Sequence, residues 1–278
     1  MNDTTNLDFQ LIMIMSAGHS GSTLLNLLLN GHNNIQGMSE ISNLNRFFTF
    51  YHPLEKSRFD STYWKSVVRQ FKKKTNIDIK SYDFSADNMK KGLTPDKRWL
   101  EVHRALYESI YKVGNKKNIV DASKWPKRIY WMLQQRWPIK VLYLTRDTRG
   151  VIFSYYKKWP INGMRAGLWI SILNVVWKVL MVVKFPYFKI IHVKHEDLVE
   201  NTSSELRRIC EFLELPYQKK MLNFATNKQH GVMGNRMRFQ RTNGIQLVEE
   251  WKTELSMLKK IKINILAFGV NLINGYVI

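Results

Sequence analysis

Cysteine is nearly absent from this 278-residue chain, where Cys210 stands alone. An intramolecular disulfide framework is thereby excluded, and a reducing compartment fits. Cys210 lies in the helical run Leu206–Leu213, where a small core residue is a commoner role than a reactive thiol. Long apolar runs are missing too. The longest, Leu168–Val183, is broken by Asn174 and Lys178 and falls short of the ~20 residues that span a bilayer, so no transmembrane segment is expected. Met1–Gln10 carries no lysine or arginine, hence no positive n-region of a secretory signal. These absences predict a soluble, cytoplasmic chain. Acidic residues are also scarce, 22 against 43 Lys+Arg, for a formal net charge of +21. Such a field attracts nucleotides, acidic glycans, nucleic acid or anionic lipid headgroups, and allows peripheral contact at the inner face of a membrane. The positive residues form no tail, so a merely solvated basic surface remains the alternative.

What is present has an order. Leu11–Met15 is a short apolar run leading through Ser16 and Ala17 into Gly18, His19, Ser20, Gly21, Ser22 and Thr23. Leu24–Asn30 follows, apolar at helical spacing and stopped by Gly31. That pattern predicts a buried strand, a glycine-bearing turn and a helix. Further strands are expected at Ile35–Met38, Asn118–Asp121, Lys140–Thr145 and Tyr187–Val193. Helices are expected at Pro126–Arg136, Thr148–Lys158 and Ser203–Leu213. Alternating strands and helices imply a parallel sheet with right-handed crossovers. Residues 47–115 are aromatic and basic, with helical stretches at Tyr63–Lys73 and Asp96–Tyr111, and read as a cap without a core of its own. No internal repeat or low-complexity segment is visible, and one domain over 1–278 is expected.

Two places carry anion chemistry. In the turn Gly18–Thr23, glycines let the backbone approach a ligand closely. Backbone N–H groups and the positive end of a helix dipole then suit a phosphate, and Ser20, Ser22 and Thr23 add hydroxyls. No lysine follows Gly21, so the Walker A form of a nucleoside triphosphatase is absent. A helix start merely capped by serine is the bland alternative. The second place is Leu142–Ser154, where a buried strand delivers Arg146 to its carboxyl end, the position at which open α/β sheets bind ligands. Arg146 can grip a phosphate bidentately, with Ser154 two helical turns on as a donor; pairing with Asp147 is the alternative.

Together these segments resemble the PAPS-dependent sulfotransferases, PAPS being 3′-phosphoadenosine-5′-phosphosulfate. The first resembles their 5′-phosphosulfate loop, in the G-H-S-G-S-T form of the bacterial branch, and the second their 3′-phosphate strand–helix. Ile119–Pro126 is similar to the V-D-S-S-K-x-P stretch of bacterial members, and His230–Phe239 to their H-x-x-x-G-N-x-x-R segment. The resemblance runs from about Leu11 to Phe239. It implies an α/β, P-loop-like sulfotransferase fold with a central parallel sheet flanked by helices. The helical cap over about 47–115 would bind the acceptor.

The same resemblance implies the roles. Gly18, His19, Ser20, Gly21, Ser22, Thr23, Arg146, Ser154, Asn235, Arg236 and Arg238 would contact the nucleotide. Many members carry lysine or arginine where His19 stands, so either His19 as imidazolium or Lys124 neutralises the leaving phosphate. Protein-tyrosine and several glycan enzymes use a glutamate after the second strand as base, which points to Glu40. His103 is the substitute, and a capping or surface acid is the plain reading of Glu40. The reaction moves a sulfuryl group to a hydroxyl, of a glycan or small molecule, leaves 3′,5′-diphosphoadenosine and needs no metal. His195 and Glu196 follow a strand end but read as packing and capping. Nucleic-acid binding, suggested by charge and by 9 Trp, 12 Tyr and 14 Phe, leaves the four ordered motifs unexplained.

Overall fold

The computed structural model describes residues 7–49, 61–85, 92, 94, 97–225, 227–239, 244–247 and 249–276. Five strands, β1 (Gln10–Ser16), β2 (Ile35–Gly37), β3 (Asn118–Lys124), β4 (Ile139–Thr145) and β5 (Lys189–Lys194), form a parallel sheet in the order β2-β3-β1-β4-β5. Every residue of β4 is buried, as is every residue of β1 after Gln10. Strands buried on both faces are what a helix-covered parallel sheet requires. β2 and β3 pair in parallel, with Ile35 opposite Asn118 and Gly37 opposite Val120.

The first helices are α1 (Ser22–Asn30), α2 (Leu44–Thr49), α3 (Thr62–Thr75), α4 (Lys97–Gly114) and α5 (Pro126–Gln134). The rest are α6 (Thr148–Lys158), α7 (Gly163–Lys184), α8 (His195–Glu200), α9 (Thr202–Leu213), α10 (Trp251–Glu254) and α11 (Met257–Ile273). Their ends follow local chemistry. Ser61 accepts from Trp64 N at the start of α3, Pro126 opens α5, and Glu214 ends α9 in the left-handed region at φ 61°. Each chemistry-bearing segment follows the carboxyl end of a strand: the Gly18–Thr23 turn after β1, Glu40 after β2, Lys124 closing β3, Arg146 after β4 and His195 after β5.

The chain divides into two compact units. One holds Met1–Ile14, Thr23–Val141 and Gln218–Asn243, the other Met15–Ser22, Leu142–Tyr217 and Gly244–Ile278. In the first, the 47–115 segment differs from the coreless cap read in the sequence; its residues 50–60, 86–91, 93, 95 and 96 lie outside the described residues. α3 buries Trp64, Val67 and Phe71 on one face, and α4 buries Trp99, Val102, Leu106 and Ile110. Apolar residues three and four apart sit on one side of a helix, so the aromatic side chains Trp64, Phe71 and Trp99 of this segment are core packing.

A buried polar network ties α4 to β3 and α5. Arg128 and Asp121 form a fully buried ion pair. Tyr107 OH donates to Asp121 Oδ2 at 2.5 Å and accepts from Arg128 Nη2 at 2.9 Å. Arg128 Nη1 lies 2.8 Å from His103 Nε2. Guanidinium only donates, so Nε2 accepts, and the ring proton on Nδ1 goes to Trp99 O at 2.8 Å.

In the second unit Ile152, Phe153, Trp251, Leu255, Ile263 and Ala267 form a core between α6, α10 and α11. Cys210 is 1% exposed there, and burial pushes its thiol up to about 11, so it is an inert core residue. The apolar run expected to be too short to span a bilayer is longer than its sequence suggested. α7 starts at Gly163 and runs 22 residues, long and apolar enough to cross a membrane by length and composition. Asn174 does not interrupt it, because its Nδ2 donates to Ile170 O within the helix at 2.8 Å.

Candidate active site

In the second unit the turn after β1 is built on backbone geometry that few residues tolerate. His19 has φ 63° and Gly21 φ 87°. A Cβ at Gly21 would sit 2.3 Å from His195 Nδ1, and one at Gly18 would sit 2.5 Å from Tyr155 Oη. Both glycines are thus required by close approach, and Gly21 by its positive φ as well. The Tyr155 ring meets the His19 ring edge-on at 5.2 Å. α1 begins at Ser22 with no acidic residue in its first turn, so no side chain there neutralises its positive end.

Two buried polar atoms of this region make no hydrogen bond, Ser20 Oγ and His195 Nδ1. They call for different explanations. Ser20 is 1% exposed and shares with Asn174 a cavity of about 20 Å³, room for one water. Asn174 Oδ1 is likewise unpartnered. Lining a cavity of that size, both groups are placed to share one water. His195 instead abuts Gly21, at the turn itself. Burial first, and the Arg146 charge second, lower its pKa to about 4, so near pH 7 it is a neutral imidazole with an open nitrogen.

Arg146 joins the strand–helix motif to the turn: its Nη1 donates to His19 O at 3.1 Å. The guanidinium lies over Gly150, where a Cβ would come within 3.2 Å of Nε. Burial is the largest influence on Arg146 and lowers its pKa against the opposing charges of Glu196 and Asp147. The expected rival for Arg146 is otherwise occupied. Asp147 caps α6 and is gripped by Arg149 through both oxygens, with Nη2 at 2.6 Å. Ser154 lies where the sequence put it, half-buried in α6, but its hydroxyl donates to Gly150 O at 2.9 Å.

The Arg146 loop is held from behind by groups the motifs did not include. Asn271 of α11 accepts from Thr148 N at 2.8 Å and donates to Asp147 Oδ1 at 2.9 Å. Glu196 accepts from Asp147 N at 3.0 Å and from Tyr276 OH at 2.9 Å. Glu196 is therefore the packing and capping residue the sequence implied. Its neighbour His195 is buried and packs against Gly21, and adds an unpartnered Nδ1 there.

In the first unit Glu40 and Lys124 come together as an ion pair through Oε1 and Nζ. Glu40 Oε2 accepts from Asn43 Nδ2 at 2.8 Å. The carboxylate does not cap the turn Ile41–Asn43 that follows it, so the capping alternative fails. Its backbone is fixed from three sides. Ser39, at φ 56°, exchanges two hydrogen bonds with Asn26 of α1. Ala122 N donates to Ser39 O at 2.7 Å, and Glu40 N to Val232 O at 3.0 Å. Lys124 is also left-handed, at φ 70°. Trp125 beside it is 48% exposed.

His103, the substitute candidate for the base, lies inside the first unit. It is fully buried with both ring nitrogens engaged, and burial together with Arg128 holds its pKa well below the usual range. Thr23 Oγ1 accepts from Asn235 N at 3.1 Å, while the Asn235 side chain accepts from Met237 N at 2.9 Å. Thr23 and Asn235 thus anchor the His230–Phe239 segment to α1. The backbone of Arg236 and Arg238 forms a 3-10 turn; their side chains lie outside the described residues. Among the described residues no group of three or more His, Cys, Asp or Glu is arranged to hold a metal ion.

The comparisons agree with this architecture. A model of the sulfotransferase family matches residues 11–219. The chain is similar in structure to the sulfotransferase domain of the Synechococcus PCC 7002 olefin synthase. That match has a TM-score of 0.66 at 16% identity and covers 99% of this chain and 97% of that one. It is also similar to the sulfotransferase domain from the curacin biosynthetic pathway, with a TM-score of 0.62 at 17% identity, covering 97% of this chain and 99% of that one. No curated protein sequence matches it.

Proposed function

Because the chain belongs to the sulfotransferase family, we propose that its sulfuryl donor is PAPS and its acceptor the hydroxyl of a glycan. The observation that carries the donor is the Arg146–His19 hydrogen bond, which joins two motifs that each suit an anion. The glycine cradle, the unopposed start of α1 and the open Nδ1 of His195 fit a phosphate-bearing nucleotide.

PAPS supplies an electrophilic sulfur, and its 5′-phosphate leaves as part of 3′,5′-diphosphoadenosine. The chain's residues do the rest. Amides of Gly18–Ser22 hold the 5′-phosphosulfate, His195 donates beside them, and Arg146 with Ser154 grips the 3′-phosphate. Arg236 and Arg238 add positive charge. Glu40 takes the acceptor proton. Once protonated, Glu40 no longer holds Lys124 by charge, and the ammonium is left to stabilise developing negative charge. His19 serves the same end as imidazolium. The exposed indole of Trp125, next to that pair, is a stacking surface of the kind sugars use, and the +21 net charge favours acidic glycans.

Transfer of radiolabelled sulfate from PAPS to a panel of oligosaccharides tests this reading. Labelled product should form at the same rate in excess EDTA, since cationic side chains carry the charge stabilisation. A rate lost on chelation and restored by magnesium would move the donor to a nucleoside triphosphate.

A further inference from the structure

α7 and α11, which pack on one another and on α6, each turn a row of large apolar side chains outward. On α7 the row is Trp169, Leu173, Val176, Leu180 and Val183; on α11 it is Leu258, Ile261, Ile265, Phe268 and Leu272. All ten are between 36 and 80% exposed. Recurring every three or four residues, each row occupies a sector of about 80° at ~100° per residue. The opposite faces hold the buried residues, Gly167, Ser171 and Asn174 on α7 and Ile263, Ala267 and Asn271 on α11. A helix at a water-facing surface is normally polar on its outer side. Here the outer side is apolar on two neighbouring helices. Single exposed apolar residues need no explanation, but contiguous rows mark an interaction surface.

The charges choose the partner. On or beside the apolar rows α7 carries Arg165 and Lys184 and α11 carries Lys262, while neither helix contains an acid. The nearby acids are already neutralised: Glu250 and Glu254 pair with Lys157, and Glu249 with Lys252. A second copy of this chain would set like charge against like, because a twofold interface uses the same patch twice. A membrane crossing by α7 would strip its inner face from α6, where a Cβ at Gly167 would already lie 2.8 Å from Ile152 Cα. We propose that the α7–α11 face docks on an anionic lipid bilayer, apolar rows entering the headgroup boundary and the basic residues meeting lipid phosphates.

The substitutions that test this leave the catalytic groups alone. Leu258 and Ile265 point about 140° and about 120° away from Asn271 around α11 at ~100° per residue, and Asn271 is the residue that supports the Arg146 loop. The full chain should float with phosphatidylcholine–phosphatidylserine vesicles at least about tenfold more tightly than with phosphatidylcholine alone, and detach in high salt. Leu258→Ser with Ile265→Ser should abolish flotation without lowering Tm. Arg165→Glu with Lys262→Glu should remove the preference for anionic vesicles. Failure to bind vesicles, or equal binding to both kinds, overturns the proposal. So does a dimer in sedimentation equilibrium that the serine pair splits while vesicles are ignored, since the face would then join two copies of the chain.

Discussion

Replacing Glu40 by glutamine should lower kcat by roughly 10²–10⁴-fold, the usual worth of a positioned acid–base group, with affinity for 3′,5′-diphosphoadenosine nearly unchanged. The substitution is close to isosteric. An amide oxygen still accepts from Lys124, and the contact with Asn43 tolerates the exchange. The backbone that holds position 40 depends on Ser39, Asn26 and Val232 and not on the carboxylate. What is lost is basicity alone. Lys124→Ala should differ, cutting kcat and weakening the nucleotide together, because it removes a positive charge and also leaves Glu40 without its ion-pair partner. Pre-steady-state turnover beside calorimetry separates the two variants. Full turnover by Glu40→Gln on the true acceptor would place the base elsewhere, and His103, buried with both nitrogens bonded, would not replace it.

Arg146→Ala should weaken 3′,5′-diphosphoadenosine by at least about tenfold while the protein stays folded. Charge-assisted bidentate bonds to phosphate are about twice as strong as neutral ones, and this guanidinium is already partly desolvated, which burial reports by lowering its pKa. An anionic ligand relieves that cost directly. The loop survives the loss because Asp147, Thr148 and Glu196 are tied to Asn271 and Tyr276. Arg146→Lys should fall between, since an ammonium restores charge without the planar fork. Calorimetric affinity equal to the parent protein's would remove the 3′-phosphate assignment.

The fold was legible because its strands are buried on both faces. Leu11–Met15 and Val141–Leu144 are apolar throughout, and nothing but a covered parallel strand explains such short runs between turns and helices. The turn at Gly18 and the arginine at 146 were legible because their chemistry is local. Relations across long separations were not. The Glu40–Lys124 pair spans 84 residues and the Thr148–Asn271 bond 123, distances over which periodicity is silent. Residues 47–115 misled because aromatic and basic side chains read alike whether a helix buries one face or exposes all of it. Trp64, Val67 and Phe71 share a face that only α4 reveals as inner. α7 and α11 are the converse case: apolar spacing marks a helix face but does not say whether protein covers it.

The central claim is that the Gly18–Thr23 turn and Arg146 hold the two phosphate ends of one nucleotide. A crystal structure with 3′,5′-diphosphoadenosine tests it most directly. The 5′-phosphate should lie within hydrogen-bond distance of the Gly18–Ser22 amides and of His195 Nδ1. The 3′-phosphate should lie on Arg146, with the Ser154 hydroxyl turned from Gly150 O toward it. A nucleotide bound with neither phosphate on Arg146, or with its 3′-phosphate in the turn, would contradict the account.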